Sequence, residues 1–151
     1  MNDSSKLSHV DSSGKVKMVD VGAKLSSRRR AVASGSVSMD ASTVKALRDL
    51  PKGDALVTAQ LAGIQAAKRT AELIPLCHSL PLSRVDVDLM IKPNSVYIVA
   101  TVETTAQTGV EMEALTAVTV AGLTVYDMAK AIDKGMKINE VVLLEKTKDP
   151  L

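Results

Sequence analysis

The clearest structural signal in the chain is the stretch Arg84–Thr104, which reads RVDVDLMIKPNSVYIVATVET. Apolar and charged residues alternate as far as Ile91, which is typical of a strand with one buried face and one wet face. Pro93-Asn94 turns the chain, and Val96–Thr104 is rich in the β-branched residues that favour strands. This stretch therefore predicts an antiparallel hairpin.

A long helix with charges only near its ends is predicted after the hairpin. Val110–Ile132 (VEMEALTAVTVAGLTVYDMAKAI) begins with Glu111 and Glu113 and ends with Asp127 and Lys130. Because Asp127 and Lys130 are three residues apart, they share one helix face at contact distance. An ion pair beside an apolar wall loses hydration, so we expect a sheltered pair that serves acid–base chemistry. The alternative is an ordinary helical ion pair of small energetic value.

The rest of the chain completes an α+β pattern. The other predicted elements are a strand over Ser27–Val37, a short helix capped by Asp40 and running to Leu50, a longer helix over Ala55–Leu73, and a last short strand over Val141–Glu145. The spacing of Val57, Leu61 and Ile64 predicts that they form the inward face of the longer helix. We expect a ferredoxin-like antiparallel sheet with helices packed on one face. A flexible N-terminal arm over residues 1–14 precedes a single domain over 15–148.

Composition narrows the classes of function. The chain has 151 residues, a net charge of +2, and only Tyr97 and Tyr126 among the Phe, Trp and Tyr types. A sheet that binds RNA or single-stranded DNA needs exposed aromatic side chains, so nucleic acid is not an expected partner. The sole cysteine, Cys77, excludes an internal disulfide, and the uncharged stretch of the long helix is too short to span a bilayer. We therefore expect a cytoplasmic protein without a membrane partner.

Four further places carry reactive groups. They are the Pro75–Pro81 loop with Cys77 and His78, Lys68-Arg69 near a helix end, Lys52-Gly53 before a helix start, and the strand-to-helix turn Thr108–Glu113. Histidine carries protons near neutral pH, and a lysine at a helix start can bind phosphate. Each place is also compatible with an ordinary solvated surface. His9, Cys77 and His78 lack zinc-ligand spacing, so no metal is expected.

The length of the long helix separates its two charged ends. Glu113 and Asp127 are fourteen residues apart, which is roughly 21 Å along a helix axis. A small substrate cannot contact both ends of one helix. Either the ends bind different parts of a long ligand, or one site combines the ends of two subunits, and we favour the second hypothesis.

Six blocks of sequence carry a specific resemblance. They are MVDVGAK (Met18–Lys24), KGD (Lys52–Asp54), AGIQAAKRT (Ala62–Thr70), LIPLCHSLPLS (Leu73–Ser83), TGVEMEALTA (Thr108–Ala117) and LTVYDMAKA (Leu123–Ala131). In this order, from about Ser8 to Lys146, the chain resembles the molybdenum cofactor biosynthesis protein C family, the cyclic pyranopterin monophosphate synthases. It departs from the family at Ser79, where a proline is expected. The arginine of the family aligns with Arg29.

The resemblance implies an enzyme that converts 3′,8-cyclo-7,8-dihydro-GTP to cyclic pyranopterin monophosphate with release of pyrophosphate. The implied steps are proton transfers and one phosphoryl displacement without redox change, so no cofactor is implied. Asp127 and Lys130 are then the catalytic pair. The implied substrate-binding residues are Leu76, Cys77, His78, Glu111, Met112, Glu113, Lys68, Lys52 and Arg29.

The resemblance also implies a homohexamer, a trimer of dimers with the site shared between subunits.

Two other functions are compatible with the same fold. One is a module that senses a nucleotide or an amino acid without converting it, and it would not require both Asp127 and Lys130. The other is a purely structural assembly protein, since apolar helices often lie at interfaces.

Overall fold

The computed structural model describes residues 7–151. Within them the elements are β1 (Ser27–Ser38), α1 (Ala41–Ala46), α2 (Ala55–Lys68), α3 (Thr70–Leu73), β2 (Leu82–Lys92), β3 (Ser95–Ala106), α4 (Glu111–Ala129) and β4 (Lys137–Asp149). The strands form one antiparallel sheet in the order β2-β3-β1-β4. Helical segments connect β1 to β2 and β3 to β4. This is the α+β, ferredoxin-like arrangement, and the prediction is confirmed.

The two long helices, α2 and α4, pack on one face of this sheet. The strand β3 shows why, because every second residue from Val96 to Val102 is buried while its neighbours are half-buried. Gly35 in β1 allows α4 to approach, since a Cβ at Gly35 would lie 2.6 Å from Cγ1 of Val118. The face of β1 that includes Gly35 is therefore buried directly beneath α4.

The prediction for the inward face of α2 is wrong at two of its three residues. Val57 is 51% exposed and Leu61 is 58% exposed, whereas Ile64 packs partly against the core. The buried face of α2 consists mainly of small residues: Ala55, Leu56, Ala59, Gly63, Ala66 and Ala67. A Cβ at Gly63 would lie 3.0 Å from the carbonyl oxygen of Ala117 in α4. The two helices approach so closely that small residues take the buried face and the larger ones face outward.

Several elements differ from their predicted bounds, and among them the short helix predicted to run to Leu50 ends at Ala46. The last strand, β4, is thirteen residues long and pairs with β1 along nearly its whole length, so Val141–Glu145 is only its centre. The predicted helix over Ala55–Leu73 is divided at Arg69, which ends α2 and precedes α3. The long apolar helix, predicted over Val110–Ile132, spans Glu111–Ala129 as α4, so its predicted existence is confirmed but it is shorter than predicted at both ends.

A buried aspartate fastens the end of α4 to the start of α1. Asp133 is 6% exposed, and its Oδ2 accepts hydrogen bonds at 2.9 Å from the backbone N–H of Asp40 and from Oγ1 of Thr43. Its Oδ1 accepts a third bond at 2.9 Å from the N–H of Gly135. Within the described residues the Asp40 side chain makes no cap hydrogen bond, so the prediction that it caps the helix is wrong, and Asp133 holds the start of α1 through Asp40 and Thr43 instead.

The predicted N-terminal arm lies only partly within the described residues. Its residues 1–6 lie outside the described part of the chain, whereas Val10, from the remainder, forms an isolated β-bridge with Val16. The flexibility of the arm and the division into arm and single domain stay predictions. No helix in residues 7–151 combines the length and apolar character needed to cross a membrane.

Candidate functional site

A cavity of about 270 Å³ lies beside the start of α4. Six of the predicted substrate-binding residues line it: Leu76, Cys77, His78, Glu111, Met112 and Glu113. They come from the loop after α3 and from the first turn of α4. Outside the loops already singled out, sequence reasoning missed four lining residues, His9, Val19, Val21 and Lys24. Val19, Val21 and Lys24 belong to the block Met18–Lys24, and that block could have identified them.

Glu113 is the most deeply buried carboxyl group of this cavity. It is 4% exposed, although it lies in the first turn of a helix, where acidic side chains commonly face water. Burial, and secondly the nearby charge of Glu111, raises the pKa of Glu113 above its ordinary value. A carboxyl group in such surroundings keeps its proton to a higher pH than an exposed glutamate does, so it can serve as a proton donor to a ligand.

The neighbouring Glu111 is held in place by a lysine and a glycine. Its Oε1 accepts a hydrogen bond at 2.9 Å from Nζ of Lys146 in β4. Its Oε2 is buried and has no hydrogen-bond partner among residues 7–151. A Cβ at Gly109 would collide with this oxygen, so a larger residue there would displace the Glu111 carboxylate from its present position.

Cys77 and His78 present one thiol and one imidazole to the cavity. Nε2 of His78 lies 2.6 Å from the carbonyl oxygen of Val19. Because a carbonyl can only accept, Nε2 carries the hydrogen, and Nδ1 is the nitrogen left to exchange a proton. Burial, followed by the charges of Glu113 and Glu111, raises the pKa of Cys77. Cys77 is therefore a neutral thiol near pH 7, suited to contact a ligand rather than to attack it.

The predicted catalytic pair lies at the other end of α4 and includes a third residue. Lys130 donates a hydrogen bond to Oδ1 of Asp127 at 2.9 Å, and Lys52 donates one to Oδ2 at 3.0 Å. The side chains of Asp127 and Lys130 are each 54% exposed, so the expectation of a sheltered pair is wrong for the single chain. Lys52 reaches the pair because α2 runs antiparallel to α4, which brings the turn before α2 beside the end of α4.

Each partner of this cluster stabilises the charged form of the other. The hydrogen bond from Lys130, followed by that from Lys52, lowers the pKa of Asp127. The hydrogen bond to Asp127 raises the pKa of Lys130. Both shifts favour the charged forms of Asp127 and Lys130, and two lysines beside one aspartate give the cluster a formal net charge of about +1, which suits it to hold an anionic ligand.

The last two predicted binding residues lie outside the cavity but at the same end of the molecule. Arg29 is half-buried in β1, and its Nη2 donates to the carbonyl oxygen of Gln107 at 3.2 Å, next to the turn that lines the cavity. Its Nε is buried without a hydrogen-bond partner in the described part of the chain. Lys68 is exposed at the end of α2, and no ion pair involves it within residues 7–151.

Nine of the eleven predicted site residues, all except Arg29 and Lys68, thus fall into two clusters at opposite ends of α4. The first, called the cavity cluster, comprises Leu76, Cys77, His78, Glu111, Met112 and Glu113. The second, called the lysine cluster, comprises Lys52, Asp127 and Lys130. One chain does not bring the two clusters together. Within residues 7–151 no three His, Cys, Asp or Glu side chains are grouped so that they could hold a metal ion.

Comparison with known proteins gives a family match across both clusters. The model of the MoaC family matches residues 18–149. Three similar proteins carry the name cyclic pyranopterin monophosphate synthase. The one from Roseiflexus sp. (strain RS-1) is 55% identical over 147 residues, covering 95% of this chain and 93% of its own. The protein from Rhodospirillum rubrum is 56% identical over 145 residues, covering 93% of this chain and 87% of its own. The protein from Novosphingobium aromaticivorans is 53% identical over 148 residues, covering 97% of this chain and 92% of its own.

Proposed function

This chain belongs to the MoaC family, and from that premise we propose that it is an enzyme of molybdenum cofactor biosynthesis that forms cyclic pyranopterin monophosphate. Its substrate is 3′,8-cyclo-7,8-dihydro-GTP, and pyrophosphate is the second product. The observation that carries the proposal is that the family match spans both clusters. A buried acid beside a histidine suits the proton transfers, and a cationic cluster suits the triphosphate.

The cationic residues have the chemistry needed to hold the triphosphate. Lys52 and Lys130 lie beside one end of α4, where each binds one carboxylate oxygen of Asp127, at 3.0 and 2.9 Å. Charge-assisted hydrogen bonds from such groups stabilise the charge that develops on a leaving pyrophosphate. Arg29 and Lys68 add positive charge at the opposite end of the molecule.

Two side chains of the cavity, Glu113 and His78, can carry out the proton transfers of the reaction. Opening the five-membered ring of the purine and closing the pyrazine ring require that protons be donated and removed in turn. Glu113, whose pKa is raised by burial, can donate, and Nδ1 of His78 can accept. Asp127 and Lys130 form the catalytic pair where a sugar hydroxyl attacks the α-phosphate.

The catalytic unit is a pair of subunits. The two clusters lie at opposite ends of a nineteen-residue helix, and a helix of that length spans roughly 28 Å. A second copy is needed to place a lysine cluster beside a cavity cluster. Three such pairs form the hexamer that the resemblance implies, and the enzyme acts in the cytoplasm.

The direct test is to incubate the protein with 3′,8-cyclo-7,8-dihydro-GTP and to measure pyrophosphate. We expect release with the parent chain, and binding without release for Lys130→Ala. Lys45→Ala, which removes an exposed lysine in α1, is the matched control and should turn over normally. A parent chain that binds the compound but never releases pyrophosphate would instead be a sensing module.

A subunit-mixing experiment tests the shared site. Asp127→Ala and His78→Ala should each be inactive alone. When the two variants are refolded together, random pairing makes half of the pairs mixed and leaves one of their two sites intact, so about a quarter of the parent activity should return. If each site lay within one chain, the mixture would stay inactive.

A further inference from the structure

A short hairpin before the main sheet, called the N-terminal hairpin (residues 9–17), brings a second imidazole to the cavity. His9 is half-buried and lines the same cavity as His78 and Glu113. It belongs to the segment that the sequence predicts to be a flexible arm. Neither the resemblance nor the family match, which begins at residue 18, gives His9 a role. Its place in the same cavity as the buried acid therefore calls for an explanation.

Backbone contacts close the N-terminal hairpin without help from the imidazole. The N–H of Lys17 donates to the carbonyl oxygen of His9 at 2.9 Å. Val10 and Val16, which lie between them in the hairpin, form an antiparallel bridge. Because the His9 side chain takes no part in these contacts, the hairpin does not need a histidine at this position in order to form.

Asp11 fixes the turn of the N-terminal hairpin. Its Oδ1 accepts hydrogen bonds at 2.9 Å from the backbone N–H groups of Ser13 and Lys15, and one at 2.6 Å from Oγ of Ser13. Gly14 has a φ of 82°, a left-handed conformation that glycine adopts without strain. Aspartate and asparagine commonly stabilise turns through such bonds from the backbone that follows them. Asp11 therefore holds the two sides of the hairpin together, and with them the position of His9.

Two carbonyl groups, two residues apart in sequence, orient the two imidazoles of the cavity. The carbonyl oxygen of Lys17 lies 3.3 Å from Nδ1 of His9, and that of Val19 lies 2.6 Å from Nε2 of His78. Because a carbonyl can only accept, each of these two nitrogens carries a hydrogen. The nitrogens left over are Nε2 of His9 and Nδ1 of His78, and neither makes a hydrogen bond within residues 7–151. Each neutral imidazole therefore keeps one basic nitrogen for a ligand.

We propose that His9 is a second proton acceptor of the cavity and that Asp11 is the residue that positions it. This inference rests on the proposed function and adds two residues to its site. Nε2 of His9 takes a proton from an N–H or O–H group of the bound substrate, and the electrons of the broken bond stay on the substrate. Nδ1 keeps its hydrogen on the carbonyl of Lys17. The imidazolium returns the proton to the substrate in a later step or gives it to water, so no further reactant is needed.

The other titratable side chains of the cavity are less suited to accept this proton. Burial raises the pKa values of Cys77 and Glu113, so both hold their own protons more firmly. A lysine ammonium has no acceptor site, and Glu111 is already bound through Oε1 by Lys146. A base acts only within about 2.6–3.2 Å of the group that it deprotonates. Two imidazoles that enter the cavity from different parts of the chain can therefore serve different atoms of one substrate. The titratable side chains that line the cavity with His9 are Lys24, Cys77, His78, Glu111 and Glu113.

Substitution of His9 tests its part in turnover. His9→Gln keeps an amide that donates and accepts hydrogen bonds but carries no proton near neutral pH. We expect kcat for pyrophosphate release to fall by about 10²-fold while KM changes little. Lys15→Gln is the matched control, because it places the same side chain at an exposed position of the same hairpin, and it should turn over like the parent.

The pH dependence of turnover distinguishes a proton acceptor from a structural residue. An acceptor must be unprotonated to act, so protonation of His9 contributes to the fall in rate in acid. In His9→Gln this contribution is absent, and the remaining rate should fall less steeply as the pH drops. A structural role would lower the rate by the same factor at every pH. An acid limb of unchanged steepness would therefore overturn the inference.

Substitution of Asp11 tests its positioning role. Asp11→Ala removes the three hydrogen bonds of the turn, so kcat should fall toward that of His9→Gln. Asp11→Asn keeps a side-chain oxygen that can accept the same bonds and should restore most of the turnover. Ser12→Ala, at an exposed position of the same turn, is the matched control. Circular dichroism checks that each variant is folded. If Asp11→Ala turns over as fast as Ser12→Ala, Asp11 does not position His9.

The outcomes separate this inference from the proposed function. If the parent chain releases no pyrophosphate, the proposed function is wrong. If the parent and Lys15→Gln release it and His9→Gln does so with an unchanged kcat, the proposed function stands and His9 is not a proton acceptor. If His9→Gln keeps the parent kcat and only its KM rises, His9 binds the substrate without taking a proton, which also contradicts the inference.

Discussion

Replacing Asp133 should destabilise the fold more than replacing any exposed aspartate. The Asp133 carboxylate accepts hydrogen bonds from the N–H of Asp40, the hydroxyl of Thr43 and the N–H of Gly135, each at 2.9 Å, and the residue is 6% exposed. Hydrogen bonds to a charged group contribute about 1.5–3 kcal/mol each, and some of this is recovered when water enters, so Asp133→Ala should cost about 4 kcal/mol. In a chain of this size that corresponds to a Tm lower by about 8–16 °C.

The same carboxylate makes a pH-dependent contribution to stability. The hydrogen bond from the Asp40 N–H is the largest cause that lowers the pKa of Asp133, with those from Thr43 and Gly135 adding to it and burial opposing. A lowered pKa in the folded state stabilises the fold above the ordinary pKa of an aspartate. That contribution is lost as the pH falls through the folded-state value, below about 4. The difference in Tm between the parent and Asp133→Asn should therefore narrow in acid.

Thermal unfolding followed by circular dichroism, at one protein concentration and several pH values, measures both effects. The control is Asp49→Ala, because Asp49 is exposed at the surface after α1. It should change the free energy of unfolding by no more than about 0.5 kcal/mol. If Asp133→Ala lowers Tm no further than Asp49→Ala does, the three hydrogen bonds do not hold α4 and α1 together as described.

Three other substitutions test the packing and the electrostatics. Burial raises the pKa of Glu113, so ionising this carboxyl group destabilises the fold as the pH rises above the ordinary pKa of a glutamate. Glu113→Gln should therefore raise Tm at pH 8 while abolishing turnover. An unchanged or lower Tm at that pH would contradict this. Gly35→Ala places a methyl 2.6 Å from Cγ1 of Val118 and should cost about 1–3 kcal/mol in urea unfolding, whereas a neutral effect would show that α4 can move away. Burial and the charges of Glu113 and Glu111 raise the pKa of Cys77, so iodoacetamide should alkylate this thiol slowly at pH 8. Alkylation should be faster in Glu111→Gln. Equal rates in the parent and the variant would show that the charge of Glu111 does not affect Cys77.

The elements that were predicted well are those whose pattern is local. The hairpin has a period of two on each side of a Pro-Asn turn, and α4 is a long run without glycine or proline apart from Gly122. Such patterns depend on neighbours along the chain. The face of α2 was predicted wrongly because it depends on a distant partner. Gly63 meets the backbone of Ala117, so the smallest residues are buried although Leu61 is far more apolar.

The predicted site shows the same limit. Spacing alone indicated that Asp127 and Lys130 share a face, and the structure confirms their contact at 2.9 Å. The third member, Lys52, is seventy-five residues away from Asp127 in sequence, and only the antiparallel packing of α2 on α4 brings it there. The burial of the pair was predicted wrongly because it was inferred from apolar residues along the helix, and several of those residues pack on the opposite side of the helix, into the core.

The exposure of the catalytic pair connects its chemistry to subunit pairing. In the single chain the hydrogen bond to Asp127 raises the pKa of Lys130, so the ammonium holds its proton firmly and is a poor acid near neutrality. A second copy that covers the end of α4 removes water from Lys130, and loss of water acts on an ammonium in the opposite direction. In the proposed pair, the contact that supplies the cavity cluster would therefore also make Lys130 a better acid. We predict that a subunit unable to pair would lose both the substrate-binding half of its site and the surroundings in which its lysine can act.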